Sequence, residues 1–230
     1  MTVPSISLES ESVRTSATLA AGIAACDAAD DLAVINKPDV ELVIWRRTLP
    51  LRLRTWLDRL DASCLPDLRI LVRPGDLRNA VEPQLKESGM PPGDMRDLLI
   101  GDIDDLVSAF ADITRSDLVD VRLESISHDA CWKFHQDCVE ARLLTTYRGP
   151  ATEWVQPIHA EQALREQKRF KGPLEHIRSN DVAIFKGSCA GPGSGIVHRS
   201  PPIAGTGYTR LLLCLNKLSA TSPQPWPRGV

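Results

Sequence analysis

From about residue 117 the chain is cut into short runs suited to strands: DLVDVRLESI (117–126), VEARLLTTY (139–147), DVAIFK (181–186), GIVHR (195–199) and YTRLLLCL (208–215). Each carries β-branched, aromatic or leucine residues, with Gly, Pro or Asp between the runs. Short strands separated by turn signals argue for an antiparallel sandwich or barrel. The polar stretch from His159 to Lys171 reads as a helix or ordered loop, and the Pro-rich tail from Ser219 as irregular.

The first half has a different texture. VELVIW (40–45) and LRILV (68–72) read as strands, while LPLRLRTWLDRL (49–60) and DMRDLLIGDIDDLVSAFADI (94–113) place apolar residues at helical spacing. Pro91-Pro92-Gly93 punctuates the start of the second helix. The expected organisation is α+β, with a helical and mixed region over 1–115, a strand-rich core over 116–218 and an irregular tail over 219–230.

Bulk properties exclude several classes. An apolar content of 43% with 25% charged residues is ordinary for a globular chain and argues against wholesale disorder. A formal charge of −3 provides no global field for nucleic acid or an anionic membrane, so neither is an expected partner. No apolar run reaches 18 residues, as a transmembrane helix would need. LAAGIAAC (19–26) resembles a lipoprotein processing site, but Glu9 and Glu11 outweigh Arg14 ahead of it, the wrong charge for a secretory leader. An amphipathic or buried helix is expected there instead. Six cysteines, at 26, 64, 131, 138, 189 and 214, form no CxxC, which points to reduced, mostly buried thiols in the cytoplasm.

Two nucleotide-type motifs fail. Asn36-Lys37-Pro38-Asp39 matches a guanine-reading NKxD, yet no GxxxxGK[ST] accompanies it, so it reads as a turn. GSCAGPGSG (187–195) lacks the lysine and following helix of a phosphate cradle, and Ser194 is misplaced for a nucleophile elbow. That segment reads as a loop between strands.

The chemistry concentrates in histidines and acids. With 5 His and 30 acids in 230 residues, chance alone gives roughly 0.65 H-x-[DE] matches. Two occur, and context separates them. His135-Gln136-Asp137 stands at a strand entrance, where residues i and i+2 share a side and can reach one metal ion together. His159-Ala160-Glu161 opens a helical stretch, where i and i+2 diverge, and reads as a solvated helix start. A third ligand is available from His198 in GIVHR. Arg210 then stands alone in the apolar run YTRLLLCL, where a buried cation is costly unless it meets an anion.

The order HxD, distal His, strand Arg resembles the iron(II)- and 2-oxoglutarate-dependent dioxygenases. That resemblance implies a C-terminal double-stranded β-helix, a cupin-like jelly roll, with the N-terminal region packed on it. It also implies His135, Asp137 and His198 as metal ligands, Arg210 as the anchor for the distal carboxylate of 2-oxoglutarate, and Tyr147 as a hydroxyl on the cosubstrate. Strand parity equally favours Thr145 or Thr146 for that last role, and Arg199 is a second candidate anion partner. More narrowly, KFHQD, RLLTTYRGPATEW, DVAIFKG, VHRSPP and TRLLLCLN resemble the uncharacterised bacterial family called domain of unknown function 1826, over about 130 to 216.

Two other readings of the same ligands stay open. The set suits Zn²⁺ in a hydrolytic site, and a thiolate from Cys131 or Cys138 would favour zinc, although such cysteines more often pack as small hydrophobes. A cupin-like module that binds metal or ligand without turnover is the other. Trp132 and Trp154 read as core aromatics, His128 and His176 lack convergent partners, and REQKRFK (165–171) reads as a solvated helix face. The substrate is left as a small molecule or a protein side chain.

Overall fold

The computed structural model of this chain describes residues 17–227; Glu9, Glu11 and Arg14 lie outside them. Its strands are β1 (Ala17–Ala20), β2 (Ile23–Cys26), β3 (Leu42–Trp45), β4 (Leu68–Val72), β5 (Val119–Ile126), β6 (Ala141–Arg148), β7 (Glu153–Trp154), β8 (Glu175–His176), β9 (Val182–Lys186), β10 (His198–Arg199) and β11 (Arg210–Lys217). Its α-helices are α1 (Leu51–Arg59), α2 (Leu77–Glu87), α3 (Asp94–Thr114) and α4 (Ala160–Glu166). The fold is mixed α+β. Among the described residues no helix is long and apolar enough to cross a membrane.

Eight strands form one sheet in the order β1-β2-β3-β9-β6-β11-β5-β4, antiparallel except for the β2–β3 pair. Strands from both sides of residue 116 therefore share this sheet. A smaller sheet has the order β10-β7-β8. Strand alternation divides the core in two. Leu211, Leu213 and Leu215 of β11 join Val121, Leu143 and the helical residues Leu57, Leu85 and Phe110 on one face. Leu212 and Cys214 turn the other way, to pack with Leu144, Phe185 and Trp154 beneath the small sheet. The layers are helices, large sheet, small sheet.

The longest helix, α3, follows its apolar spacing: Leu99, Ile100, Ile103, Leu106, Val107 and Phe110 are buried along one stripe. Asp94 and Asp97 in its first turn face the positive end of its dipole, and the left-handed Arg115 ends it. The tail is irregular but pinned, since Trp226 N donates to Leu71 O at 2.7 Å and Ser222 Oγ to Asp120 Oδ2 at 2.8 Å.

LAAGIAAC is a hairpin, not a helix. Ala17 pairs with Ala25 and Thr18 with Ala24, around a turn in which Gly22 takes φ +77°. Small apolar residues carry no periodic contrast, so the glycine and the neighbouring strand β3 decide their conformation. The helix α2 holds Pro83 in its interior while burying Leu77, Ala80, Val81 and Leu85.

A buried polar knot ties α3 to the sheet. Arg47 grips Asp102 through Nη1 at 2.5 Å and Nη2 at 3.0 Å, and the Tyr147 hydroxyl donates to Asp102 Oδ2 at 2.6 Å. Burial, with Asp102 alongside, holds the Tyr147 phenol protonated far above its ordinary range. Removing the shared carboxylate strands a buried guanidinium, so Asp102→Ala is expected to cost about 3–5 kcal/mol in urea unfolding. Tyr147→Phe deletes one hydrogen bond and should cost about 1 kcal/mol. Equal costs for the two variants would contradict this arrangement.

Candidate metal centre

The two histidines of the sequence pattern meet through the backbone. His135 N donates to His198 O and His198 N to His135 O, each at 3.0 Å, forming an isolated antiparallel bridge. Their rings stand 4.5 Å apart, and Phe185 closes against the His198 ring at 4.7 Å. Asp137, two residues beyond His135, falls on the same side. His135 Nε2 lies 3.5 Å from Asp137 Oδ1, and His198 Nε2 lies 3.3 Å from Asp137 Oδ2. One ligand atom from each residue falls within 4.8 Å of the others, and no cysteine joins the group.

This donor set fits a divalent metal. Two atoms each about 2.1 Å from one ion, at tetrahedral or octahedral angles, sit about 3.0–3.4 Å apart, close to the spacing here. Both imidazoles are oriented for that role: His135 Nδ1 faces Lys133 O at 2.8 Å and His198 Nδ1 faces Ile196 O at 3.0 Å. A carbonyl on Nδ1 fixes the tautomer that leaves the Nε2 lone pair free. Asp137 Oδ2 is buried and accepts no well-aligned hydrogen bond, although Arg142 Nη1 lies 2.6 Å away.

The electrostatics agree. Burial opposes ionisation of Asp137, but His135, His198 and Arg142 overcome it and hold the carboxyl far below its usual range. The hydrogen bond to Asp137 raises His135 above the ordinary imidazole value despite its burial. Arg142 is itself oriented by Asn216, whose Oδ1 accepts from Nε at 2.7 Å. The Asp137 segment rests on the end of β9: Ser188 N donates to Asp137 O at 2.8 Å, and a Cβ at Gly187 would meet that oxygen at 2.5 Å. Gly187 is therefore a close-approach glycine.

Beside the histidines opens a cavity of about 240 Å³, lined also by Thr152, Ser200, Arg122 and Glu124. Arg210 is fully buried behind Thr152 and Ser200. Its Nη1 donates to Ser200 Oγ at 2.7 Å and its Nη2 to Thr152 Oγ1 at 3.4 Å, while Nε has no partner. No carboxylate pairs with it among the described residues, and burial lowers its pKa to about 10. Arg199 differs: Glu153 neutralises it at 2.6 Å and the Phe134 ring lies 4.3 Å beneath it.

Tyr147 is not brought to this cluster. It packs with the helix-side core, its hydroxyl on Asp102, because alternation along β6 gives it the same face as Leu143 and Thr145. Thr146, opposite Leu212, shares the cavity side of the sheet, whereas Thr145, opposite Leu213, shares the helix side. His128 lines the cavity; His176 is exposed near Glu153. His159 begins α4, with Glu161 exposed and near Arg165, as a solvated helix start should be.

Cys131 and Cys138 are exposed rather than buried, and Cys138 Sγ lies 3.2 Å from Cys189 Sγ. Trp132 lies under the ammonium of Lys168 at 4.1 Å, while Trp154 is buried. The sequence reading missed Arg142, which shares its strand with Arg148 and follows Glu140, so it lacks the isolation that singled out Arg210.

A family profile described as "Protein of unknown function (DUF1826)" matches residues 26–216, extending far N-terminal of the stretch that carries the sequence resemblance. No curated protein matches the chain. Among solved structures, a Pseudomonas putida prolyl-4-hydroxylase is similar at 11% identity and a TM-score of 0.42, covering 84% of this chain and 100% of that one. AviO1 from Streptomyces viridochromogenes Tue57 is similar at 12% identity and a TM-score of 0.35, covering 80% and 93%.

Metal binding should be pH-dependent with a definite sign. Because Asp137 stabilises the charged His135, protons compete with metal from above the ordinary imidazole value of about 6.5 downward. Anaerobic Fe(II) or Mn(II) titrations are expected to be flat at alkaline pH and to lose at least about tenfold in affinity per unit below that point. Constant affinity down to about pH 5 would contradict imidazole ligation. Gly187→Ala, which pushes on the Asp137 carbonyl, should weaken metal binding about 10- to 100-fold while circular dichroism stays unchanged.

Proposed function

The chain belongs to the DUF1826 family, a description that carries no chemistry, and we propose that it is an iron(II)- and 2-oxoglutarate-dependent oxygenase. One observation carries this reading beyond metal binding: among the described residues the fully buried guanidinium of Arg210 has only two hydroxyls for partners, beside the cavity that the histidines line. An unpaired buried cation is destabilising unless a ligand supplies the anion. A dicarboxylate that reaches from the metal to Arg210 satisfies that demand.

Two neutral imidazoles and one carboxylate are the facial set of non-haem iron oxygenases, leaving positions for other ligands. Iron(II) with 2-oxoglutarate would supply oxidative decarboxylation of the keto acid to succinate and carbon dioxide, coupled to hydroxylation of a substrate C–H bond. The chain's own residues do the rest. His135, Asp137 and His198 hold the metal, while Arg142 keeps Asp137 ionised. Thr152 and Ser200 aim Arg210, whose planar fork suits a carboxylate. Leu144, Leu212 and Ile126 give the cavity an apolar wall, and Phe185 packs against the His198 ring.

The facing of a large sheet and a small sheet around the site supports the double-stranded β-helix that this function implies. The absence of a thiolate from the His-Asp-His group removes the feature that would favour zinc. Six unpaired cysteines suit a reducing compartment such as the cytoplasm.

With Fe(II), oxygen and 2-oxoglutarate, the protein is expected to form succinate slowly even without substrate, and His135→Ala or Asp137→Ala should abolish this. Arg210→Gln should weaken 2-oxoglutarate binding about 100-fold and leave metal binding intact. Unchanged succinate formation in the Asp137 variant would sink the assignment.

A further inference from the structure

The cavity holds more positive charge than one cosubstrate can use. Asp137 answers Arg142, and the proposed cosubstrate answers Arg210. Arg122 of β5 remains. Among the described residues it makes no ion pair, and its Nε is buried without a hydrogen-bond partner. Its own strand does not supply the missing anion. Asp120, two residues before it, is committed to Arg69 at 2.7 and 3.0 Å and accepts from Ser222. Glu124, two residues after it, faces the same cavity and makes no hydrogen bond or ion pair among the described residues. Asp67 stands at the rim.

The sheet register separates Arg122 from the cosubstrate position. Arg210 lies opposite Ile126, four residues along β5 from Arg122, a span of about 13 Å. Arg122 lies opposite Cys214, which lies opposite Leu144 of β6, so it stands two strands, about 10 Å, from the strand whose Arg142 touches Asp137. A small molecule held at Arg122 reaches the metal across Leu212 and Cys214. Free charges of both signs, Arg122 and Glu124, project side by side from alternate positions of one strand. Two carboxylates near the entrance repel a polyanion, and the unpaired cation of Arg122 rejects a simple amine.

We propose that Arg122 and Glu124 form the substrate end of the cavity and take a small zwitterion of amino-acid type, its carboxylate on Arg122 and its ammonium on Glu124. This rests on the oxygenase reading only in assigning Arg210 to the cosubstrate.

The probes are free L-α-amino acids with their N-acetyl and amide counterparts, titrated calorimetrically into the full-length Mn(II)-loaded protein, with 2-oxoglutarate titrated separately. At least one free amino acid is expected to bind, its blocked forms at least about tenfold more weakly. Arg122→Gln should reduce that binding about 30-fold or more, Arg122→Lys should restore part of it, and 2-oxoglutarate binding should be unchanged in both. Arg210→Gln should show the opposite pattern. The proposal is overturned if no free amino acid binds, if blocked forms bind equally, or if Arg122→Gln binds as wild type while retaining its unfolding midpoint. Loss of the 2-oxoglutarate arm alone overturns the oxygenase reading and leaves the zwitterion site standing.

Discussion

Two reciprocal backbone hydrogen bonds between His135 and His198 govern the geometry of the centre. They join residues 63 positions apart (198 − 135), and closing a free loop of that length costs about 4 kcal/mol in chain entropy. Two hydrogen bonds worth about 1 kcal/mol each do not offset that cost alone. The ladders around them do: β6 pairs with β9, β10 with β7, and β7 with β8, so both histidine segments arrive already fixed. The bridge then sets ring spacing, and the two-residue step to Asp137 completes the group. Function here depends on sheet pairing more than on any local motif.

Charge is distributed to match. The helix-facing side of the large sheet is mostly apolar; Arg148 there donates to Leu57 O and Leu60 O, and in the closed knot of Arg47, Asp102 and Tyr147 every charge has a partner. The other side carries Arg122, Glu124, Arg142 and Arg210, of which, among the described residues, only Arg142 has an opposite charge bound to it. Arg122, Glu124 and Arg210, without an opposite charge among the described residues, gather at one cavity. That asymmetry distinguishes the site from the rest of the core more sharply than burial does.

Much of this was legible in the sequence, for identifiable reasons. The strands VELVIW, LRILV and YTRLLLCL announce themselves through dense apolar content, and α3 through its 3.6-residue stripe. His135 and Asp137 were readable because period-2 parity at a strand entrance is a local property. Arg210 was readable because a lone cation in an apolar strand is costly wherever the strand goes. Tyr147 was not, since alternation gives it the face of Leu143, and which face of β6 meets the helices is set by tertiary packing that leaves no trace in composition. Arg122 hides for a related reason. It sits among acids in DLVDVRLESI and looks solvated until register shows that Asp120 is taken.

The central claim is that metal and 2-oxoglutarate share one cavity, the metal on His135, Asp137 and His198 and the keto acid reaching Arg210. Calorimetric titration of 2-oxoglutarate into the Mn(II)-loaded and the metal-free protein tests it most directly, because shared ligation must appear as coupling between the two. The account predicts clear binding with metal and at least about tenfold weaker binding without it. Equal affinity in the two states, or none in either, would contradict it.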